Sequence, residues 1–244
     1  MPGHDVIVIG FSAGGVEALL RGIRDVPPDL PAAILIVHHF PAYSISALPR
    51  ILSRVVKLPA SHGVDGERIR SGHIYLSRPE RHLLVNGDRI QLSRGPKENR
   101  HRPAIDPLFR TAARSYGPRV IAVLLSGTLD DGAGGMRTVK ACGGLTVVQR
   151  PEDALFGDMP ANAMELVPVD YVESAARLGG LLTRLVSEPV AVADEGVLPM
   201  SPHAVDPPDP SARGTKDLEE HTLQGPPRPL TCPSRGGALG AAGG

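Results

Sequence analysis

The chain has 244 residues, with 26 Lys plus Arg against 26 Asp plus Glu and a formal net charge of zero, so its composition gives no support for bulk nucleic-acid binding. No apolar run reaches the roughly 20 residues that span a bilayer, the N-terminal "MPGHD" carries no secretory pattern, and the two cysteines suit a reducing compartment rather than a disulfide framework. These properties predict a cytoplasmic protein without membrane insertion or a nucleic-acid partner, large enough for one sizeable α/β domain.

In chain order, the apolar run at 6–9 reads as a strand that passes through a Gly-rich turn into a helix over 13–24. Residues 33–38 read as a second strand and 43–54 as a helix. "HLLVNGDRIQLS" holds two alternating runs around Asn86-Gly87, the strongest short-range hairpin signal. A helix over 106–115, a strand over 119–125, a helix over 133–141 and a strand over 145–149 follow. A strand near 169–172 and a helix over 174–186 complete the pattern. Strands alternating with helices predict a doubly wound α/β fold, a mostly parallel sheet flanked by helices, with an antiparallel hairpin inserted. From about residue 188 the chain is rich in Pro, Gly and charge. It cannot bury enough apolar surface to offset its ordering entropy, so the expected domain is 4–187 and the expected disordered tail 188–244.

In open parallel sheets functional residues gather beyond the carboxyl ends of the strands. Three strands end here in Gly10-Phe11-Ser12-Ala13-Gly14-Gly15, in His38-His39-Phe40-Pro41 and in "SGTLDDGAGG". A serine, a histidine and a carboxylate so placed are the ingredients of a nucleophilic triad. Taken singly, Ser12 reads more readily as a helix N-cap, His39 as a polar strand end, and Asp130 or Asp131 as a turn residue or N-cap. The coincidence at three strand ends favours the triad. A dinucleotide site fits poorly: Ser12 stands where the second glycine of G-x-G-x-x-G belongs, and the second strand ends in histidines instead of a ribose-binding carboxylate. His38-His39 is a poor metal pair, because neighbours on a strand point to opposite faces. In "LTCPSRGGAL" Arg235 stands where a zinc knuckle would need its second cysteine, and one thiolate builds no tetrahedral site. No metal and no cofactor is expected.

Several segments in one order, "VIGFSAGGVEAL", "IVHHFP", "DGERIRSGHIYLSRPERHLLV", "NRHRPAIDPLF", "VLLSGTLDDGAGGM" and "ALFGDMPANA", resemble the catalytic domain of the chemotaxis protein-glutamate methylesterases, the CheB family. The resemblance implies a doubly wound sheet with an edge hairpin and hydrolysis of glutamate γ-methyl esters on receptor signalling helices, with glutamine deamidation in some members. It makes Ser12 the nucleophile, His39 the general base and Asp131 the orienting carboxylate, leaving His38 and Asp130 without a catalytic part. The backbone N–H of Ala13 and one in the turn containing Thr128 become candidates for the oxyanion hole. Arg100, His101 and Arg102 cluster in one loop, which reads as a solvated basic turn or, on the resemblance, as a grip on acidic receptor helices, with Arg100 and Arg102 as the candidates.

Methyl-accepting receptors are the implied partners, with a methyltransferase or sensory kinase beside them. Thr128-Leu129 stands where the family usually carries Met-Gly, which alters the loop lining the pocket. The family's receiver domain has no counterpart in these residues, so a stand-alone esterase is expected. The rival expectation is a binding module of the same fold with an idle triad, which a serine-directed fluorophosphonate would leave unlabelled.

Overall fold

The computed structural model describes residues 3–39 and 46–190. Its strands are β1 (Val6–Phe11), β2 (Ala33–His38), β3 (Ala60–His62), β4 (Ile74–Leu76), β5 (His82–Asn86), β6 (Arg89–Ser93), β7 (Val120–Leu124), β8 (Leu145–Gln149) and β9 (Tyr171–Glu173). Its α-helices are α1 (Gly15–Ile23), α2 (Leu48–Leu52), α3 (Ile105–Tyr116), α4 (Ala133–Ala141), α5 (Asp158–Leu166) and α6 (Ala175–Ser187). Seven strands form one sheet in the order β3-β4-β2-β1-β7-β8-β9, and every neighbouring pair is parallel.

The apolar continuity of the central strands follows from burial on both faces. All six residues of β1 are buried. Ile7, Ile9 and Phe11 join Leu19, Ile23, Leu178, Leu182 and Leu185 of α1 and α6 on one face. Val6 and Val8 meet Leu108, Phe109 and Ala112 of α3 and Met136 and Val139 of α4 on the other. On one side of β1 the sheet continues through β2 and β4 to β3 at the edge, and the chain then returns to place β7 on the opposite side. The strand order therefore reverses at β1, the place where open α/β sheets put their functional crevice.

The hairpin around Asn86-Gly87 is present, but it is a separate two-stranded sheet and not part of the parallel one. It leans on α3, where the Val85 N–H donates to Thr111 Oγ1 at 3.0 Å. Leu83, Val85 and Ile90 bury into the same core as Phe109. Two three-residue strands, β3 and β4, and helix α5 lie where no element was expected. The final strand falls at Tyr171–Glu173, a little beyond the expected 169–172. Of the helix expected over 43–54, residues 48–52 are helical, and its first residues lie outside the described ones. The expected tail lies outside them from residue 191 onward. Among the described residues no helix is long and apolar enough to cross a membrane.

Candidate active site

Sheet register brings the three strand ends to one level. In β2 and β7, Val37 and Leu124 both pair with Gly10 of β1, and His38 pairs with Phe11. The ladder runs on past the strands, with the Ser12 N–H donating to the Ser126 carbonyl at 2.9 Å and the His39 N–H to that of Phe11 at 3.4 Å. Ser12 and His39 thus leave the sheet side by side, with the loop after β7 against Ser12.

The turn after Ser12 is held by backbone conformation and close packing. Helix α1 is capped by Gly14, which has φ 71° and makes no side-chain capping bond, so Ser12 is not the N-cap that its position also allowed. A Cβ at Gly14 would lie 2.7 Å from Leu155 Cβ and 2.9 Å from Ser126 Oγ. At Gly127 a Cβ would lie 1.9 Å from Met159 Cε and 3.0 Å from Ser12 Cβ, so glycine lets the β7 loop close over the serine. Ser126 Oγ ties the loops together, donating to the Ala13 carbonyl at 2.8 Å and accepting from the Phe156 N–H at 3.0 Å. Gly14→Ala is expected to cost about 1–3 kcal/mol, because it adds left-handed strain to a steric overlap. A thermal melt lowered by roughly 3–10 °C would register it, with esterase activity falling in the protein that remains folded.

Ser12 Oγ, His39 and Asp131 form one hydrogen-bonded chain. Asp131 is an acceptor when ionised, so His39 Nε2–H donates to its Oδ2 at 2.7 Å. That leaves the Nδ1 lone pair to receive the Ser12 Oγ–H at 3.0 Å. The side chains of His39 and Asp131 are only 7% and 2% exposed.

Asp131 is buried at a helix terminus that suits a negative charge. It precedes α4, yet its carboxylate accepts from the first N–H groups of α3, Ile105 to Oδ2 at 2.8 Å and Asp106 to Oδ1 at 3.1 Å. Asp106, in the first turn of α3, reciprocates by accepting from Gly132 at 3.1 Å and Gly135 at 2.6 Å around the start of α4. Each carboxylate therefore caps the other's helix, where unpaired N–H groups and the helix dipole favour an anion. Between them Asn99 Nδ2 donates to Asp131 Oδ1 at 2.7 Å and to Asp106 Oδ2 at 3.0 Å. Burial alone would push the Asp131 carboxyl up. The hydrogen bonds from His39, Ile105 and Asn99 outweigh it and hold this carboxyl below the usual range. Asp106 is pushed up, by burial first and then by the Asp131 charge.

Beside the triad is a cleft of about 220 Å³ lined by His39, Asn99, Arg100, His101, Thr128, Leu129, Asp130 and Asp131. Thr128 and Arg100 are exposed in its walls, and Ala13 is exposed at the serine turn. Arg102, read beside Arg100 as one basic grip, has other partners: Glu80 at 2.7 Å and the carbonyls of Arg94 and Gly95 at 3.1 and 2.9 Å. It is not among the walls of the cleft. His38 turns away from the triad, its ring stacked on Phe11 at 5.1 Å, and burial foremost lowers its pKa to about 4. Asp130 is exposed. In the turn over Ser12, the Ser126 N–H is held by Gln149 Oε1 and the Gly127 N–H by the Phe156 carbonyl, both at 3.0 Å. The Ala13 and Thr128 N–H groups have no partner among the described residues.

Asn99 and Asp106 were not singled out from the sequence, and His101 was read only as a member of the basic loop with Arg100 and Arg102. The available signal was Asn99 itself, since Asn is the residue after Gly that best tolerates positive φ, and here its φ is 47°.

The CheB methylesterase family model matches residues 7–182. A Leptospira interrogans protein is 38% identical over 183 residues, covering 75% of this chain and 95% of its own. A Hydrogenovibrio crunogenus protein named protein-glutamate methylesterase/protein-glutamine glutaminase is 35% identical over 175 residues, 70% of this chain and 46% of that one. An Anaeromyxobacter dehalogenans protein named protein-glutamate methylesterase/protein-glutamine glutaminase 2 is 38% identical over 169 residues, 69% of this chain and 49% of its own. The chain thus spans nearly all of the first relative and about half the length of the other two. The crystal structure of the Thermotoga maritima CheB methylesterase catalytic domain superposes with a TM-score of 0.71 at 31% identity, over 75% of this chain and 98% of that one. With a family model matched from the first strand into the last helix, and the same fold in a crystal structure, the chain belongs to the CheB methylesterase family.

Proposed function

We propose that residues 4–187 form a serine esterase that hydrolyses γ-methyl esters of glutamate on the signalling helices of chemoreceptors or receptor-like proteins, releasing methanol. The observation that carries this reading is the unbroken hydrogen-bonded chain from Ser12 Oγ through His39 to Asp131 Oδ2. The names of the relatives supply the substrate class, glutamate esters and glutamine side chains of proteins.

Ser12 Oγ attacks the ester carbonyl carbon as its proton passes to His39 Nδ1, and Asp131 stabilises the imidazolium. Negative charge collects on the carbonyl oxygen, where the Ala13 and Thr128 N–H groups are the donors we assign. Such a donor contributes about 3–4 kcal/mol to the transition state. The carbon–methoxy bond breaks, His39 returns the proton to the leaving oxygen, and methanol departs. Water then attacks the Ser12 ester with His39 again as base, which frees the glutamate and restores the serine. With glutamine in place of the ester, the same sequence releases ammonia.

A protein substrate suits the surroundings of the cleft. Leu129 is 55% exposed in its wall, and Leu155, packed beside Gly14 of the serine turn, is 72% exposed. Together with the exposed Arg100 they offer apolar contacts and one cation, the complement of an amphipathic acidic helix. The test is methanol release from a receptor signalling fragment carrying glutamate γ-methyl esters. Steady release that requires Ser12 is expected. Folded protein that releases none would overturn the proposal.

A further inference from the structure

We propose that His101 is a positioning residue of this esterase, its ring laid flat on His39 so as to fix the plane of the base and stabilise the imidazolium that forms when Ser12 gives up its proton. The proposal rests on the serine-esterase reading and assigns a part to a side chain that the triad does not include.

Three observations converge on His101. The first is the stack itself: the His39 and His101 rings lie 3.6 Å apart, centroid to centroid, and 5° from parallel. Both nitrogens of His39 are already engaged, Nδ1 with Ser12 and Nε2 with Asp131. Only its faces remain for a further contact, and His101 takes one of them.

The second is the turn that delivers it. Glu98 and His101 exchange backbone hydrogen bonds, Glu98 N–H to the His101 carbonyl at 3.1 Å and His101 N–H to the Glu98 carbonyl at 2.8 Å. The residues between them, Asn99 and Arg100, have φ of 47° and 68°. Two successive left-handed residues inside a closed four-residue turn have the signs of a type I′ turn, where glycine follows asparagine most readily. Arg100 in the glycine position is strained, and such strain persists only where surrounding contacts hold it. Here Arg110 Nη2 grips Glu98 at 2.7 and 3.0 Å, and Asn99 is fastened to Asp131 and Asp106. The strained turn aims Asn99 at the acid and His101 at the base of one triad.

The third is charge. Burial foremost, then the neighbouring His39, lowers the His101 pKa; Lys97 acts in the same direction and Asp131 against it. This direction favours the neutral form of the ring that lies on His39. A cation over the face of a neutral aromatic ring is attracted to it, and the covered face is shielded from water. This help arises only as charge develops on His39, so it acts on the chemical step and not on substrate binding.

The test compares His101→Ala, His101→Leu and His101→Phe with the wild type by thermal melt, by the rate of Ser12 modification with a fluorophosphonate, and by kcat and KM on a methyl-esterified receptor fragment. Phenylalanine keeps a flat ring, whereas leucine fills the space without one. His101→Leu and His101→Ala are expected to slow Ser12 modification and kcat by roughly 5- to 30-fold, with KM within about 2-fold of the wild type. His101→Phe is expected to recover most of the loss. Should His101→Ala fail to fold, the contrast between Leu and Phe decides the matter. Leu as fast as Phe, or Phe as slow as Leu, overturns the proposal, and so does a loss confined to KM. A wild-type protein that no fluorophosphonate modifies overturns the esterase reading and this proposal with it. A modified wild type with His101→Leu equally fast overturns this proposal alone.

Discussion

Ser12→Ala is expected to lower ester hydrolysis by about 10⁴-fold or more while leaving the thermal melt within a degree or two. Members of a serine triad act as a unit, and loss of the nucleophile alone removes nearly all the catalysis that the triad supplies. The fold should tolerate the change. The Ser12 hydroxyl caps no helix, its recorded partner is His39 Nδ1, and the backbone bond from its N–H to the Ser126 carbonyl does not depend on the side chain. Turnover of a methyl-esterified receptor fragment beside a melting curve checks both halves. Activity within 10-fold of the wild type would mean that another group is the nucleophile.

Asp131→Asn is expected to be nearly as inactive, about 10⁴-fold down, and also to be unstable, which separates it from Ser12→Ala. The catalytic loss arises because an amide accepts through one oxygen only and so favours the wrong imidazole tautomer. The stability loss arises because both Asp131 oxygens are already acceptors, from His39, Ile105, Asp106 and Asn99. An amide NH2 in place of either oxygen would face donors, at a cost of about 1–3 kcal/mol. The pH dependence has a definite sign. Because the folded carboxyl lies below its ordinary value of 3.8, its stabilisation is present above that value and fades as pH falls through the lowered one. The gap in Tm between wild type and Asp131→Asn should therefore be full at pH 7 and narrow in acid, which a melt series over pH shows directly.

The proposed triad could be read because its members follow three unbroken apolar runs. A run such as "VIVIGF" is buried on both faces, so polar side chains beyond its end must lie at the rim of the sheet, and adjacent parallel strands bring their rims together. The choice of His39 over His38 and of Asp131 over Asp130 for the proposed triad came from the family resemblance. In the structure His38 stacks on Phe11, while His39 reaches both Ser12 and Asp131. The three-residue strands β3 and β4 were not legible, since so few residues display no period. Helix α5 carries Pro160 near its start and leaves Met164 and Leu166 exposed, which blurs its apolar face.

The shape of the basic loop was not legible, for a different reason. Arg100, His101 and Arg102 are consecutive and read as one patch, but the left-handed turn separates them. Arg100 enters the cleft wall, His101 lies on the base, and Arg102 leaves to bind Glu80. An Asn-Gly pair would have announced that turn; Asn-Arg does not. The reciprocal capping of α3 and α4 by Asp131 and Asp106 joins residues 25 positions apart and has no local pattern to read.

The central claim is that His39 and Asp131 make Ser12 a nucleophile. Its most direct test is to treat the protein with a fluorophosphonate and locate the adduct by mass spectrometry of its peptides. One phosphonyl group per chain is expected, on Ser12, with the adduct lost in His39→Ala protein that melts like the wild type. Hydrolysis of the methyl ester by protein whose Ser12 stays unmodified under saturating reagent, or whose adduct lies on a different serine, would contradict the account.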